Sequence, residues 1–250
     1  MPISPAVAKL LQPDETAYDM LRRSGAAALK GHFPSTGFAD LDDLLQRVQQ
    51  ALARELPQAC HVLEIEGEPG TGKSFLMMSL AARIAEAGGG VWYFDLDKRL
   101  SVSRFARFFQ SEEHLSRVSV VRPDTSKEFL AALHLIGLSK VPVRMVVIDS
   151  LLAFYQMNIL TDPLGAGYFF SIPHVLLELA SRQGFVVVAS KPAVSFEIVS
   201  KTWLQGVSYR LVLTGPGQGV LKVPALARAS VVGQPLQDGT VGGINFAITG

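Results

Sequence analysis

Apolar residues first recur at helical spacing. Leu41, Leu44, Leu45, Val48 and Leu52 fall three and four residues apart, which predicts a helix over Asp40–Leu56, ended by Pro57. Ahead of it, Ala17, Leu21 and Ala28 form a weak stripe, so residues 2–30 read as one or two short helices and residues 31–37 as a connector. From Cys60 the pattern changes to alternating strands and helices. Strands are predicted over Val62–Glu66, Val91–Asp95, Val118–Arg122, Val143–Asp149 and Phe185–Ser190. Helices are predicted over Ser74–Ala87, Val102–Gln110 and His174–Arg182. A further helix follows a capping box made by Thr125 and Glu128, with Phe129, Ala132, Leu133 and Ile136 as its apolar stripe. Tyr209–Thr214 and Val220–Val223 flank a Gly-Pro-Gly-Gln-Gly turn and read as a hairpin, and Asn245–Thr249 as a last strand. The expected fold is α/β: a mostly parallel sheet with helices on both faces and a C-terminal antiparallel β extension.

Composition narrows the class. The chain has 250 residues, a formal net charge of +1 and 48% hydrophobic residues, enough for a sizeable core. Only 18% of residues are charged, against about 25% in ordinary domains. So thinly charged a surface suggests that a partner covers part of it. The balance excludes an acidic tail or a globally basic coat for nucleic acid. Cys60, the single cysteine, excludes a disulfide framework and fits a reducing compartment. No apolar stretch reaches the ~18 residues of a membrane helix, and the first residues lack the shape of a signal peptide. The expectation is a soluble intracellular protein that does not engage a membrane.

One motif carries chemistry. Gly67-Glu68-Pro69-Gly70-Thr71-Gly72-Lys73-Ser74 fits G-x-x-x-x-G-K-[ST], between a predicted strand and a predicted helix. The glycines let backbone N–H groups point at phosphates, and the helix start adds its positive dipole end. Lys73 is expected to reach the β- and γ-phosphates of ATP, and the Ser74 hydroxyl to ligate Mg²⁺. Asp149, at the end of a buried strand, is the acidic partner such a metal needs, or alternatively the cap of a following helix.

With these residues the chain resembles the RecA/Rad recombinase superfamily, and within it the eukaryotic recombinase paralogues. Thr36-Gly37-Phe38-Ala39-Asp40-Leu41-Asp42-Asp43-Leu44-Leu45 is similar to the segment that precedes the core in that family. Ile148-Asp149-Ser150-Leu151-Leu152-Ala153-Phe154-Tyr155 is the more specific match, and Tyr93-Phe94-Asp95-Leu96-Asp97 and Lys201-Thr202-Trp203 add to it. The resemblance implies a RecA-like P-loop NTPase core over residues 36–250, a short N-terminal helical or linker segment over residues 1–35, and no separate N-terminal DNA-binding domain. It implies a nuclear protein of homologous-recombination repair of double-strand breaks. Its partners would be other recombinase paralogues in a hetero-oligomer, with the D-type paralogue as direct neighbour. The alternative is an active DNA-dependent strand-exchange ATPase.

The resemblance also assigns residues. Asp97 stands where recombinases carry a catalytic glutamate, and a carboxylate one methylene shorter implies weak hydrolysis or none. Its other reading is a strand-end carboxylate that caps the next helix. Arg104 stands where an arginine lies over the adenine, or else on a solvated helix face. Ser190-Lys191 replaces an Asn-Gln pair whose glutamine senses the γ-phosphate, and lysine cannot accept a hydrogen bond. The counterparts of the DNA-binding loops are Gln156–Gly167 and Lys191–Lys201. The first has no Lys or Arg; the second offers Lys191 and Lys201, with Phe196 and Glu197 between them. DNA contact is therefore expected to be weak or made through the complex. Phe33 is either an anchor in a neighbour's pocket or an intramolecular staple for the helix at Asp40.

Overall fold

The computed structural model describes residues 33, 35–36, 39–55, 62–139, 141–161, 165–193, 199–215, 218–222 and 240–245. The expected helices of residues 2–30 lie outside these. Among the described residues, sixteen regular elements and one π-helical turn follow in order. They are α1 (Ala39–Glu55), β1 (Val62–Gly67), α2 (Lys73–Glu86), β2 (Gly90–Asp95), α3 (Val102–Ala106), α4 (Glu112–Leu115), β3 (Val118–Val121) and α5 (Ser126–Ile136). Then come β4 (Val143–Asp149), α6 (Leu151–Tyr155), the π-helical turn Gln156–Thr161, α7 (Gly165–Gln183), β5 (Val186–Pro192), α8 (Lys201–Gly206), β6 (Tyr209–Gly215), β7 (Gln218–Lys222) and β8 (Thr240–Asn245).

The strands form one sheet in the order β3-β2-β4-β5-β1-β6-β7-β8. Strands β3 through β6 pair parallel, while β7 and β8 add antiparallel. The fold is thus α/β, mostly parallel, with an antiparallel C-terminal extension. Side chains alternate between two cores because strand residues point to opposite faces. Leu63, Ile65, Val91, Tyr93, Met145, Val147, Val186 and Val188 pack under α1 and α2. Val62, Phe94, Val146, Ile148, Val187 and Ala189 pack under α5, α6, α7 and α8. A sheet covered on both sides explains the continuous apolar runs of its central strands.

Some elements differ from expectation. The helix expected over Val102–Gln110 ends at Ala106, and a second short helix restarts where Ser111 Oγ accepts from His114 N–H. Helix α7 starts at Gly165 and carries Pro173 inside it. Burial of Phe169, Ile172, Leu176 and Ala180 at helical spacing offsets the lost backbone bond. Strand β8 lies at Thr240–Asn245; beyond Asn245, the strand expected to Thr249 falls outside the described residues. Phe33 is buried and meets Tyr209 edge-on, ring centroids 6.0 Å apart, within the core that holds Leu41 and Leu45. Of its two expected roles, this is the intramolecular one. Asp42 ties the same entry down, its Oδ1 accepting from the N–H and hydroxyl of Thr36 at 2.6 Å each.

Candidate nucleotide site

Ligands of open α/β sheets lie beyond the carboxyl ends of the strands, and the predicted residues collect there. A cleft of about 390 Å³ is lined by Pro69, Gly70, Gly72, Lys73, Ser74, Asp97, Arg104, Asp149, Ser190 and Lys191, among others. Strand β1, the loop Glu68–Gly72 and the 14-residue helix α2 form its floor. Gly70 and Gly72 have φ of 85° and 94°, where a side chain is strained. A Cβ on Gly67 would meet Thr71 Oγ1 at 2.6 Å and the Leu213 carbonyl at 3.0 Å. No side chain caps helix α2, and its first turn holds no acid, so its N–H groups are open to an anion.

Lys73 Nζ donates to the carbonyls of Gly67 and Glu68 at 2.6 and 2.8 Å. Burial holds its ammonium below the usual lysine range, against the opposing pull of Asp149, Glu68 and Asp97. The Ser74 hydroxyl is exposed at the start of α2.

Asp149 ends β4. Its Oδ2 accepts from the Tyr93 hydroxyl at 3.0 Å and its Oδ1 from the Ser190 hydroxyl at 2.7 Å. It does not cap the next helix; Ser150 does, accepting from Ala153 N–H. The Asp149–Ser150 peptide is cis. Among the described residues no three His, Cys, Asp or Glu side chains form a metal cage. Magnesium needs none, because one or two protein oxygens, phosphate oxygens and waters usually complete its shell. Ser74 and Asp149, both on the cleft, suit that chemistry.

Asp97 accepts from Ser150 Oγ at 3.1 Å. Burial pushes its carboxyl above the usual range, only partly countered by that bond. The next helix, α3, is capped by Ser101 rather than by Asp97, while Asp95 accepts from the N–H groups of Arg99 and Leu100 and pairs with Arg122 Nε at 2.7 Å. Arg104 lies at the cleft rim on α3, its own N–H held by Ser101 Oγ. No protein-family model matches this chain, and no curated protein matches it.

Sequence reading missed the polar network behind the cleft. Glu64 is fully buried, yet its carboxylate accepts from Arg210 Nε at 2.6 Å and Trp203 Nε1 at 2.9 Å, and Lys191 Nζ lies 3.4 Å away. Lys191 also pairs with Glu66 at 3.1 Å. Its ammonium is thus engaged inside the protein, which removes one of the two lysines expected to face DNA. The available signal was Glu64 itself, a charge in a strand buried on both faces. The other expected DNA loop is not a loop in its first half. Gln156–Thr161 is π-helical, with Met157 and Asn158 buried. Residues 162–164, Phe196 and Glu197 lie outside the described residues. Phe129 and Ala132 are core, as their stripe predicts.

Proposed function

We propose that this chain is an ATP-binding recombinase paralogue with a RecA-like core. Within that family it most resembles the X-ray repair cross-complementing protein two. It acts as a subunit of a nuclear complex, beside the D-type paralogue, that supports recombinase filament assembly in homologous-recombination repair of double-strand breaks. Its task is more architectural than catalytic.

One observation carries the nucleotide reading. Lys73 and Ser74 at the start of α2 and Asp149 at the end of the distant strand β4 line one cleft at the ends of the central strands. Their types suit a nucleoside triphosphate with magnesium. Lys73 and the open N–H groups of α2 bind the phosphates, Ser74 and Asp149 hold Mg²⁺, and Arg104 covers the base. Bound magnesium neutralises charge on the phosphate oxygens. What supports the architectural role is the short carboxylate at Asp97 and the scarcity of free cations where DNA would bind. Lys98 is paired with Asp124, and Lys191 with Glu64 and Glu66.

The test is calorimetry of the purified chain with Mg-ATP, then turnover with and without single-stranded DNA. Lys73→Ala should weaken binding by about 2–4 kcal/mol, the scale of a lost charged contact; unchanged affinity would remove the assignment. Turnover strongly raised by single-stranded DNA would favour an active recombinase instead. Co-expression with a recombinase paralogue should improve the solubility of the chain, and failure to co-purify would count against the complex.

A further inference from the structure

The Asp149 carboxylate is clamped on both oxygens by neighbours from different strands. Tyr93 approaches from β2 and donates to Oδ2 at 3.0 Å, while Ser190 approaches from β5 and donates to Oδ1 at 2.7 Å. Strand β4 lies between these two. All three side chains lie on the sheet face covered by α2, whose first turn carries Ser74. Two hydrogen bonds on opposite oxygens fix the rotation of a carboxylate about its last torsion, which is otherwise broad. Each oxygen keeps a second lone pair, because a carboxylate has about four acceptor sites and the clamp occupies two.

Neither donor is explained by packing alone. Tyr93 has no exposed surface and sits in the core with Phe105, so phenylalanine would fill the same space. Its hydroxyl reaches Asp149, which lines the cleft. Ser190 ends an otherwise apolar run, Val186 to Ala189, where that strand reaches the cleft.

We propose that Tyr93 and Ser190 are positioning residues that pre-orient Asp149 toward a divalent cation shared with Ser74 and the phosphates of a bound nucleotide. This rests on the nucleotide reading above. It assigns the two residues to metal affinity and leaves phosphate binding to Lys73 and the loop. Removal of such a supporting hydrogen bond typically weakens a metal site by about 10–100-fold.

The experiment is a titration of Mg²⁺ at fixed ATPγS, followed by calorimetry, with a parallel arm in EDTA. Tyr93→Phe and Ser190→Ala should each raise the Mg²⁺ midpoint by about tenfold or more, and leave affinity for ATPγS in EDTA within about twofold of the unmutated chain. Ser190→Thr, which keeps the hydroxyl, should restore the midpoint. An unchanged midpoint, or an equal loss in the EDTA arm, overturns the assignment while the nucleotide reading stands. If the unmutated chain binds no ATPγS in either arm, the nucleotide reading falls and this inference with it. Should Tyr93→Phe fail to fold, Ser190→Ala and its threonine rescue decide alone.

Discussion

Glu64 and Arg210 are register partners on β1 and β6, and Arg210 Nε donates to Glu64 Oε1 at 2.6 Å, a bond that lies beneath the cleft floor. A buried carboxylate is tolerable only when every partner is in place. Here Arg210, Trp203 and Lys191 supply three. Glu64→Ala should therefore cost about 3–5 kcal/mol, since it leaves both cations with Glu66 alone, takes the acceptor from the Trp203 N–H and opens a gap. Denaturant unfolding checks this, and a loss well under 1 kcal/mol would show that the network contributes little.

Asp97 sets an expectation for pH. Its folded carboxyl titrates above its ordinary value of 3.8, mainly through burial. The ionised form is thus disfavoured by the fold, so its contribution to stability is present below the ordinary value and is lost as pH rises through the raised one. Asp97→Asn removes that loss. The variant should match the unmutated chain near about pH 3 and exceed it near about pH 7 in denaturant midpoint. The opposite order at neutral pH would mean that the bond from Ser150 outweighs burial.

Asp97 also bears on turnover. If the carboxylate is simply too short to reach the attacking water, Asp97→Glu should raise ATP hydrolysis from a slow baseline, by up to about 100-fold. A baseline already at about 1–100 s⁻¹ would contradict the expectation of weak hydrolysis.

Phe33→Ala should destabilise the isolated chain by about 3–5 kcal/mol, because the ring fills this chain's own core against Tyr209. A thermal melt without any partner is enough to check it. A variant with unchanged melting temperature but weakened association would return Phe33 to the role of a partner anchor.

Gly67→Ala should distort the loop. The added methyl meets a movable hydroxyl on Thr71, but also the backbone carbonyl of Leu213 on β6. The cost should be about 1–3 kcal/mol, the range for overpacking, with a larger loss of nucleotide affinity than of stability. Equal stability and affinity would show that the strands can part at no cost.

The core and the line of the cleft follow from the pattern of residues along the chain. Central strands between two helical layers must be apolar on both faces, so Met145–Ile148 and Phe185–Ala189 were legible as continuous runs. The loop Gly67–Ser74 was legible because its glycines and lysine are contiguous, and Asp149 because it ends a buried strand. Strand β8 was less so, since Gly242 and Gly243 weaken its own preference and pairing with β7 supplies the order. Which residues hold the cleft together depends on how the strands are ordered in the sheet. Tyr93, Asp149 and Ser190 are far apart in sequence and meet only because β4 lies between β2 and β5. Lys191 turned inward for the same kind of reason. A fully buried Glu64 leaves an uncompensated charge unless cations from β5 and β6 are drawn to it, and strand order is what brings them within reach.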